Sequence, residues 1–270
     1  MRAVRVEERE LRVVDVPEFA PGPGELLIRT VASSVNPVDD KTRQGLFGEV
    51  EELGWDLAGV VVTGRGDFQP GDRVIAMSHQ LSTGRGTWAD FVAIPEASVS
   101  PAPETASFVE AATLPLAGLT AVQALDWLQL RTGERLLVAG AAGAVGGLAV
   151  QLARARGVEV DELTRENREI GRDYDAVFDT YGAFVVDLVA DGGRYASIAS
   201  QAGPVPKQAG VRTTNIEVRE DGAGLRELVK LVDDGVLTLR VDSTFPVRDV
   251  RAAHERFWQG GLNGKVTLLF

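Results

Sequence analysis

The 270-residue sequence predicts an α/β protein in which a β-rich N-terminal portion is joined to a doubly wound parallel sheet. Three observations predict it. Residues 136–153 read as a short buried strand that turns through glycines into a helix. The stretches that follow alternate strand and helix patterns, as parallel sheets require. The first third instead alternates apolar and polar residues between turn signals, the pattern of hairpins.

Taken in order, Met1 to Phe19 alternates (Val4, Val6, Leu11, Val13) and predicts edge strands, with a turn at Pro21 to Gly24 and a strand over Glu25 to Ala32. Asn36-Pro37 should stop that strand. It can serve as simple turn chemistry, or it can point an amide into a bordering cleft. Gly54 to Val62 reads as a strand entered through a bulge, and Phe68 to Val74 as a turn before another strand. Asp56 and Arg73 are expected to pair and brace this region. His79, in the polar loop Ser78 to Thr87, is expected to be solvated. Gly86 to Val92 closes the β portion.

From Glu104 to Leu130 the apolar period becomes helical, with Pro115 near a helix start, and here the chain should pass between domains. Leu136 to Val138 is the strand before the glycines, and Val145, Leu148, Ala149 and Leu152 have helical spacing after them. Further strands are expected at Val158 to Leu163, Tyr174 to Thr180, Gly193 to Ala199 and Val211 to Val218. A helix follows at Leu225 to Asp233, then a strand at Val241 to Phe245, a helix at Val250 to Trp258 and a last strand at Lys265 to Phe270. His254 on that helix is expected to be a partly buried structural imidazole.

The glycine turn carries the strongest chemical signal. Gly140, Gly143 and Gly146 stand three apart, so loop and first helical turn have almost no side-chain bulk, and open N–H groups at a positive helix end suit a diphosphate. Against the fingerprint G-x-G-x-x-G, Ala141 takes the first place and Gly143 and Gly146 keep the other two. Small residues could also serve only to pack helix on sheet. No Lys-Ser or Lys-Thr follows, so a P-loop is excluded.

Composition narrows the classes. A net charge of -11 without a Lys/Arg cluster opposes nucleic-acid binding. The absence of cysteine removes disulfides and thiolate chemistry, and two distant histidines make a poor metal set, so no metal is expected. The charged start and the lack of a long apolar run predict a cytoplasmic protein with no membrane partner.

The ordered motifs Asn36-Pro37-Val38-Asp39, Gly54 to Gly59, Pro70 to Val74, Gly86 to Phe91, Ala111 to Ala124, the glycine turn, Gly192 to Tyr195 and Gly264-Lys265-Val266 span nearly the whole chain. Together they resemble the medium-chain dehydrogenase/reductase superfamily, in its zinc-free quinone oxidoreductase branch. The resemblance implies a GroES-like catalytic domain at residues 1–112, a Rossmann cofactor domain at 113–239 and a return to the first domain at 240–270. Positions resembling the zinc ligands of other members hold Asn36, Trp55 and Leu116, which implies no metal. It further implies hydride transfer from a nicotinamide to a quinone or α,β-unsaturated carbonyl. Asn36 is placed near the nicotinamide or the substrate carbonyl, Thr120 near the nicotinamide, Gly140, Gly143, Ala144 and Val145 at the diphosphate, and Ala199 and Ser200 at the strand end bordering the cofactor. Lys41 stands where some relatives have a tyrosine and is the candidate proton donor, with a solvated loop lysine as the alternative. A homodimer is expected from the family's habit and from Val211 to Val218, read as an edge strand.

Two departures stand out. Only Thr164 to Asp173 separates the second and third strands of the Rossmann region, too few residues for a helix and a strand, so the sheet should be trimmed on its adenine side. Asp161 and Glu162 are unusual in a strand covered on both faces. For the cofactor, an acid counted from the fingerprint falls at Asp161 and favours NADH, whereas the strand end places Thr164 and Arg165 where a 2'-phosphate would sit. Strand-end geometry is preferred, giving NADPH with NADH as the alternative. Arg165 could equally be a solvated charge in the polar run Arg165 to Glu169. Loops Gly45 to Glu52 and His79 to Arg85 are expected to set substrate choice. The competing reading is a cofactor-binding or scaffold protein of the same fold with little turnover, suggested by the shortened domain and the missing tyrosine.

Overall fold

The computed structural model describes residues 1–48, 50–168 and 170–270, with the backbone alone at Gln80 and Ser82. Glu49 and Glu169, which belong to two of the loops singled out above, lie outside the described residues. Strands β1 (Arg2–Glu7), β2 (Glu10–Asp15) and β3 (Glu25–Ser34) precede helix α1 (Pro37–Arg43). β4 (Asp56–Thr63), β5 (Arg73–Met77), the short α2 (Gln80–Thr83), β6 (Phe91–Pro95), β7 (Val99–Pro101) and the single turn α3 (Phe108–Ala111) follow, then α4 (Pro115–Leu128). Next come β8 (Arg135–Ala139), α5 (Ala144–Ala155), β9 (Glu159–Leu163), β10 (Tyr174–Asp179), β11 (Val189–Ser197) and β12 (Arg212–Asn215). α6 (Gly222–Asp233), β13 (Val241–Pro246), α7 (Val250–Gln259) and β14 (Lys265–Leu269) complete the chain.

The chain divides into two compact units, Met1–Leu116 with Glu220–Phe270, and Ala117–Arg219. In the first, a seven-stranded sheet runs β13-β14-β3-β4-β5-β7, with β6 also paired to β3, and β1 and β2 form a separate hairpin. The inward positions of β3 and β4, such as Leu26, Ile28, Leu57 and Val61, are buried, and the alternation that predicted these strands is the consequence. β14 is antiparallel to β3 and brings the C-terminal residues to its far end, Thr267 opposite Ser34.

The second unit is an all-parallel sheet in the order β12-β11-β10-β8-β9. The first crossover, β8 to β9, carries the helix α5, while the described residues between Leu163 and Tyr174 form neither helix nor strand. β9 is therefore an edge, and this accounts for Asp161 and Glu162. Asp161 accepts from the Arg135 guanidinium and the Tyr174 hydroxyl, and Glu162 from Arg154, at a margin that water reaches. An acidic edge also resists pairing with other strands. At the opposite edge the ladder covers only Arg212–Asn215, shorter than the expected Val211 to Val218.

Two further expectations are corrected, and one is refined. Asp56 does not pair with Arg73: the β4–β5 register sets Asp56 opposite Met77 and Arg73 opposite Val60, four residues along the strand. Arg73 instead donates to the Ala106 carbonyl and lies over the Phe108 ring. His79 is not a solvated loop side chain, because its half-buried ring meets the Trp55 indole edge-on with centroids 4.8 Å apart. Asn36-Pro37 does more than stop β3: Asn36 is the N-cap and Pro37 the first residue of α1, a position where the missing N–H costs nothing. His254 is partly buried as expected, 2.8 Å from Asp40, and ties α7 to α1.

Candidate active and cofactor sites

Around Asn36 the first unit buries an ionic cluster. Asp56 begins β4 with no exposed surface, and Lys265, 5% exposed, sits at the start of β14. Their side chains form an ion pair of 2.7 Å. Asn36 joins them, its Oδ1 accepting from Lys265 Nζ at 2.8 Å and its Nδ2 donating to Asp56 Oδ2 at 2.8 Å. The Ser34 hydroxyl donates to the same carboxylate oxygen, and the Leu116 N–H donates to Asp56 Oδ1 at 2.7 Å. A buried charge pair is tolerable only when its remaining lone pairs and protons are satisfied, and here three further donors supply that. The fold makes the cluster possible because Val35 N–H bonds to the Val266 carbonyl, fixing Asn36 beside Lys265.

Below this cluster lies Asp39, fully buried in the first turn of α1, accepting from the N–H groups of Asn36 (2.8 Å) and Gly54 (3.0 Å). Burial outweighs these two bonds and pushes its carboxyl up to about 7. Two residues further on, Lys41 is half-buried, and desolvation lowers its affinity for a proton. Asn36 and Lys41 thus sit at the two ends of the same short segment.

In the second unit β8 ends at Ala139 and the chain turns at Gly140, whose φ of 89° is the left-handed region that glycine adopts at no steric cost. Gly143 caps α5 without a side-chain bond, Ala142 and Gly143 are exposed, and Ala144 and Val145 are half-buried. The first N–H groups of α5 have no partner within the helix, which makes this end a ready anion site. A Cβ on Gly146 would meet the Gly140 carbonyl oxygen and lie 3.0 Å from Ala141 Cα, so the glycine spacing is needed for the turn to close on the helix.

The strand ends beside it are fixed. Thr164 Oγ1 accepts from the Asn167 N–H at 3.0 Å, and Arg165 projects from that turn exposed and without a bonding partner among the described residues. Ala199 is buried just past β11, its N–H bonded to Ser197 Oγ at 3.0 Å, and Ser200 is exposed. Thr120 is buried in α4. Asn36 and Lys41 belong to the first unit, and Thr120, Gly140, Gly143, Ala144, Val145, Thr164, Arg165, Ala199 and Ser200 to the second.

The zinc-like positions do not fit a metal. Asn36 already bonds both members of an ion pair, the Trp55 indole N–H is a buried donor that finds no hydrogen-bond partner among the described residues, and Leu116 offers only its backbone. Among the described residues no group of three His, Asp or Glu side chains could hold an ion. Lys265 and Asp39 escaped the sequence reading. Their signal was a single Lys beginning the apolar run Lys265–Leu269 and an acid three residues after an Asn-Pro N-cap, the first of which has meaning only when β14 is known to reach Asp56.

A parallel strand entering a helix through an open glycine turn defines the second unit as a dinucleotide-binding fold. Two family models match, an alcohol dehydrogenase GroES-like domain over residues 22–104 and a zinc-binding dehydrogenase over residues 154–268. The chain is 31% identical to an NADPH-dependent alkenal/one oxidoreductase of Arabidopsis thaliana, over 90% of this chain and 72% of that protein. It is 36% identical to a quinone oxidoreductase of Rattus norvegicus over 59% of this chain, spanning about half (51%) of that relative. Among solved structures, a quinone oxidoreductase from Coxiella burnetii superposes with a TM-score of 0.89 at 26% identity, covering 100% of this chain and 99% of that one. A mycobacterial protein complexed with NADPH superposes at 0.85 and 27% identity, covering 100% of both chains. The chain belongs to the medium-chain dehydrogenase/reductase superfamily, in its zinc-free quinone reductase branch.

Proposed function

We propose that this chain is an oxidoreductase that uses NADPH to reduce a quinone or an α,β-unsaturated carbonyl, without a metal. The observation that carries the proposal is the glycine turn, with the open N–H groups of α5 on one side and the exposed Arg165, without a bonding partner among the described residues, in the same unit. The similarity to relatives named for NADPH, alkenals and quinones supports it. When bound, the coenzyme supplies the hydride; the protein supplies binding, orientation and a proton.

Gly140, Gly143, Ala144 and Val145 hold the diphosphate by backbone N–H groups and lack of bulk. Arg165, with Thr164 setting the turn from which it projects, takes the 2'-phosphate. Thr120, Ala199 and Ser200 border the nicotinamide. Asn36, held by Asp56 and Lys265, has its second N–H only loosely engaged, 3.5 Å from the Ser34 carbonyl, and turns that N–H and an Oδ1 lone pair to the nicotinamide or the substrate carbonyl. Lys41 donates a proton to the reduced product anion, and its burial makes that proton easier to give up. The protein is further proposed to be cytoplasmic and homodimeric. The described residues contain no helix long and apolar enough to cross a membrane, and β12 lies at the sheet edge.

The test is oxidation of NADPH, followed by the absorbance of the reduced nicotinamide, with a small quinone and with an enone. Turnover with either is expected. Tight NADPH binding with no turnover on a panel of both classes would establish the binding-protein reading instead.

A further inference from the structure

We infer that Tyr181 is a stacking platform for the adenine ring of the dinucleotide, replacing a wall that the trimmed sheet no longer provides. The inference rests on the NADPH reading and adds the residue that receives the base. Tyr181 is 56% exposed, and among the described residues it is the one large hydrophobic side chain of the second unit left so open to water. A ring so exposed is open to stack on a planar partner.

Its place identifies the partner. The parallel register aligns Asp179, Ala139 and Leu163 as one row across β10, β8 and β9. Just beyond these strand ends come Tyr181, Gly140 and Thr164-Arg165, so the tyrosine and the arginine follow the strands on either side of the one that enters the glycine turn. Their strands are two spacings apart, roughly 10 Å, which leaves room for one planar ring between two side chains. The Tyr181 ring leans toward the turn, since a Cβ on Gly140 would lie 2.9 Å from Tyr181 Cδ1. This is also the point at which the sheet changes direction, β9 lying on one side of β8 and β10 on the other, where open parallel sheets bind their ligands.

The platform is rigid before any ligand arrives. Buried Asp179 accepts from the N–H groups of Tyr181 (3.2 Å), Gly182 (2.9 Å), Ala183 (3.0 Å) and Phe184 (3.0 Å), and from the Tyr195 hydroxyl at 2.6 Å. The backbone is clamped while the ring stays outside, so stacking costs little ordering. On the far side the sheet ends at β9, whose Thr164–Asn167 turn offers no apolar surface to a base. A nucleobase whose ribose phosphate is held at Arg165 finds its apolar face at Tyr181.

Titration calorimetry with adenosine 2',5'-bisphosphate and with NADPH tests this on wild type, Tyr181→Ala and Tyr181→Phe. Tyr181→Ala is expected to weaken both ligands about tenfold, and Tyr181→Phe to stay within about twofold, because the ring and not the hydroxyl does the stacking. An etheno-adenine analogue should lose fluorescence on binding wild type and Tyr181→Phe, and keep it on Tyr181→Ala. Unchanged affinity in Tyr181→Ala, or equal losses in both variants, would overturn the inference. If wild type bound neither ligand, the NADPH reading itself would fall and take this with it.

Discussion

Lys265 carries a charge into the interior of the first unit and is held there by Asp56 and Asn36. Its replacement shows what the cluster is for. Lys265→Met strands a buried carboxylate, and a loss of about 3–5 kcal/mol in urea unfolding is expected, with part of it regained in the double variant Lys265→Met, Asp56→Asn. Asp39 gives a pH dependence of definite sign. Its ordinary carboxyl value is 3.8 and its folded value about 7, so the folded state holds the proton more tightly between them. Its contribution is fully present at low pH and is lost as pH rises through that window. Wild type should therefore lose stability relative to Asp39→Asn from about pH 4 to about pH 7, as read by denaturant midpoints at each pH. For Lys41 the expected signature is kinetic. Lys41→Met should lower kcat about a hundredfold and leave NADPH affinity unchanged, which steady-state rates with a calorimetric Kd will separate.

At the scale of elements, the β8–α5 junction depends on Gly146, where a side chain would strike the Gly140 carbonyl. Gly146→Val is expected to cost about 1–3 kcal/mol in stability and to weaken dinucleotide binding at least about tenfold, while circular dichroism keeps its helical signal. This junction was also the most legible part of the sequence, because apolar period and glycine spacing are local. β3, β4, β8, β10 and α6 were legible for the same reason. Helix α1 was not: seven residues with four charged side chains carry little periodicity, and its evidence lies in the Asn-Pro cap rather than in its face. The acids of β9 read as an anomaly until the strand order made it an edge, and a strand's neighbours are not written in its own residues.

For the whole molecule, fold and family were legible because many weak motifs occur in one order along the chain. The site was legible only in part. The residues of the glycine turn, Thr164 and Arg165 could be proposed because each follows directly on a recognisable strand. The Asp56–Lys265 pair was missed because its members lie 209 residues apart in sequence and are joined only when β14 returns to β3. Tyr181 was passed over for a similar reason, since the strand YDAVFDT shows where β10 ends but not that the next ring faces the turn after β8. The central claim is that the turn and Arg165 together select a phosphorylated coenzyme. The most direct test is calorimetric Kd for NADPH and NADH side by side, on wild type and Arg165→Ala. NADPH should bind wild type more tightly than NADH by at least about tenfold, the worth of one charge-assisted contact, and the advantage should collapse in Arg165→Ala. Equal affinities in wild type, a preference for NADH, or no heat with either would contradict it.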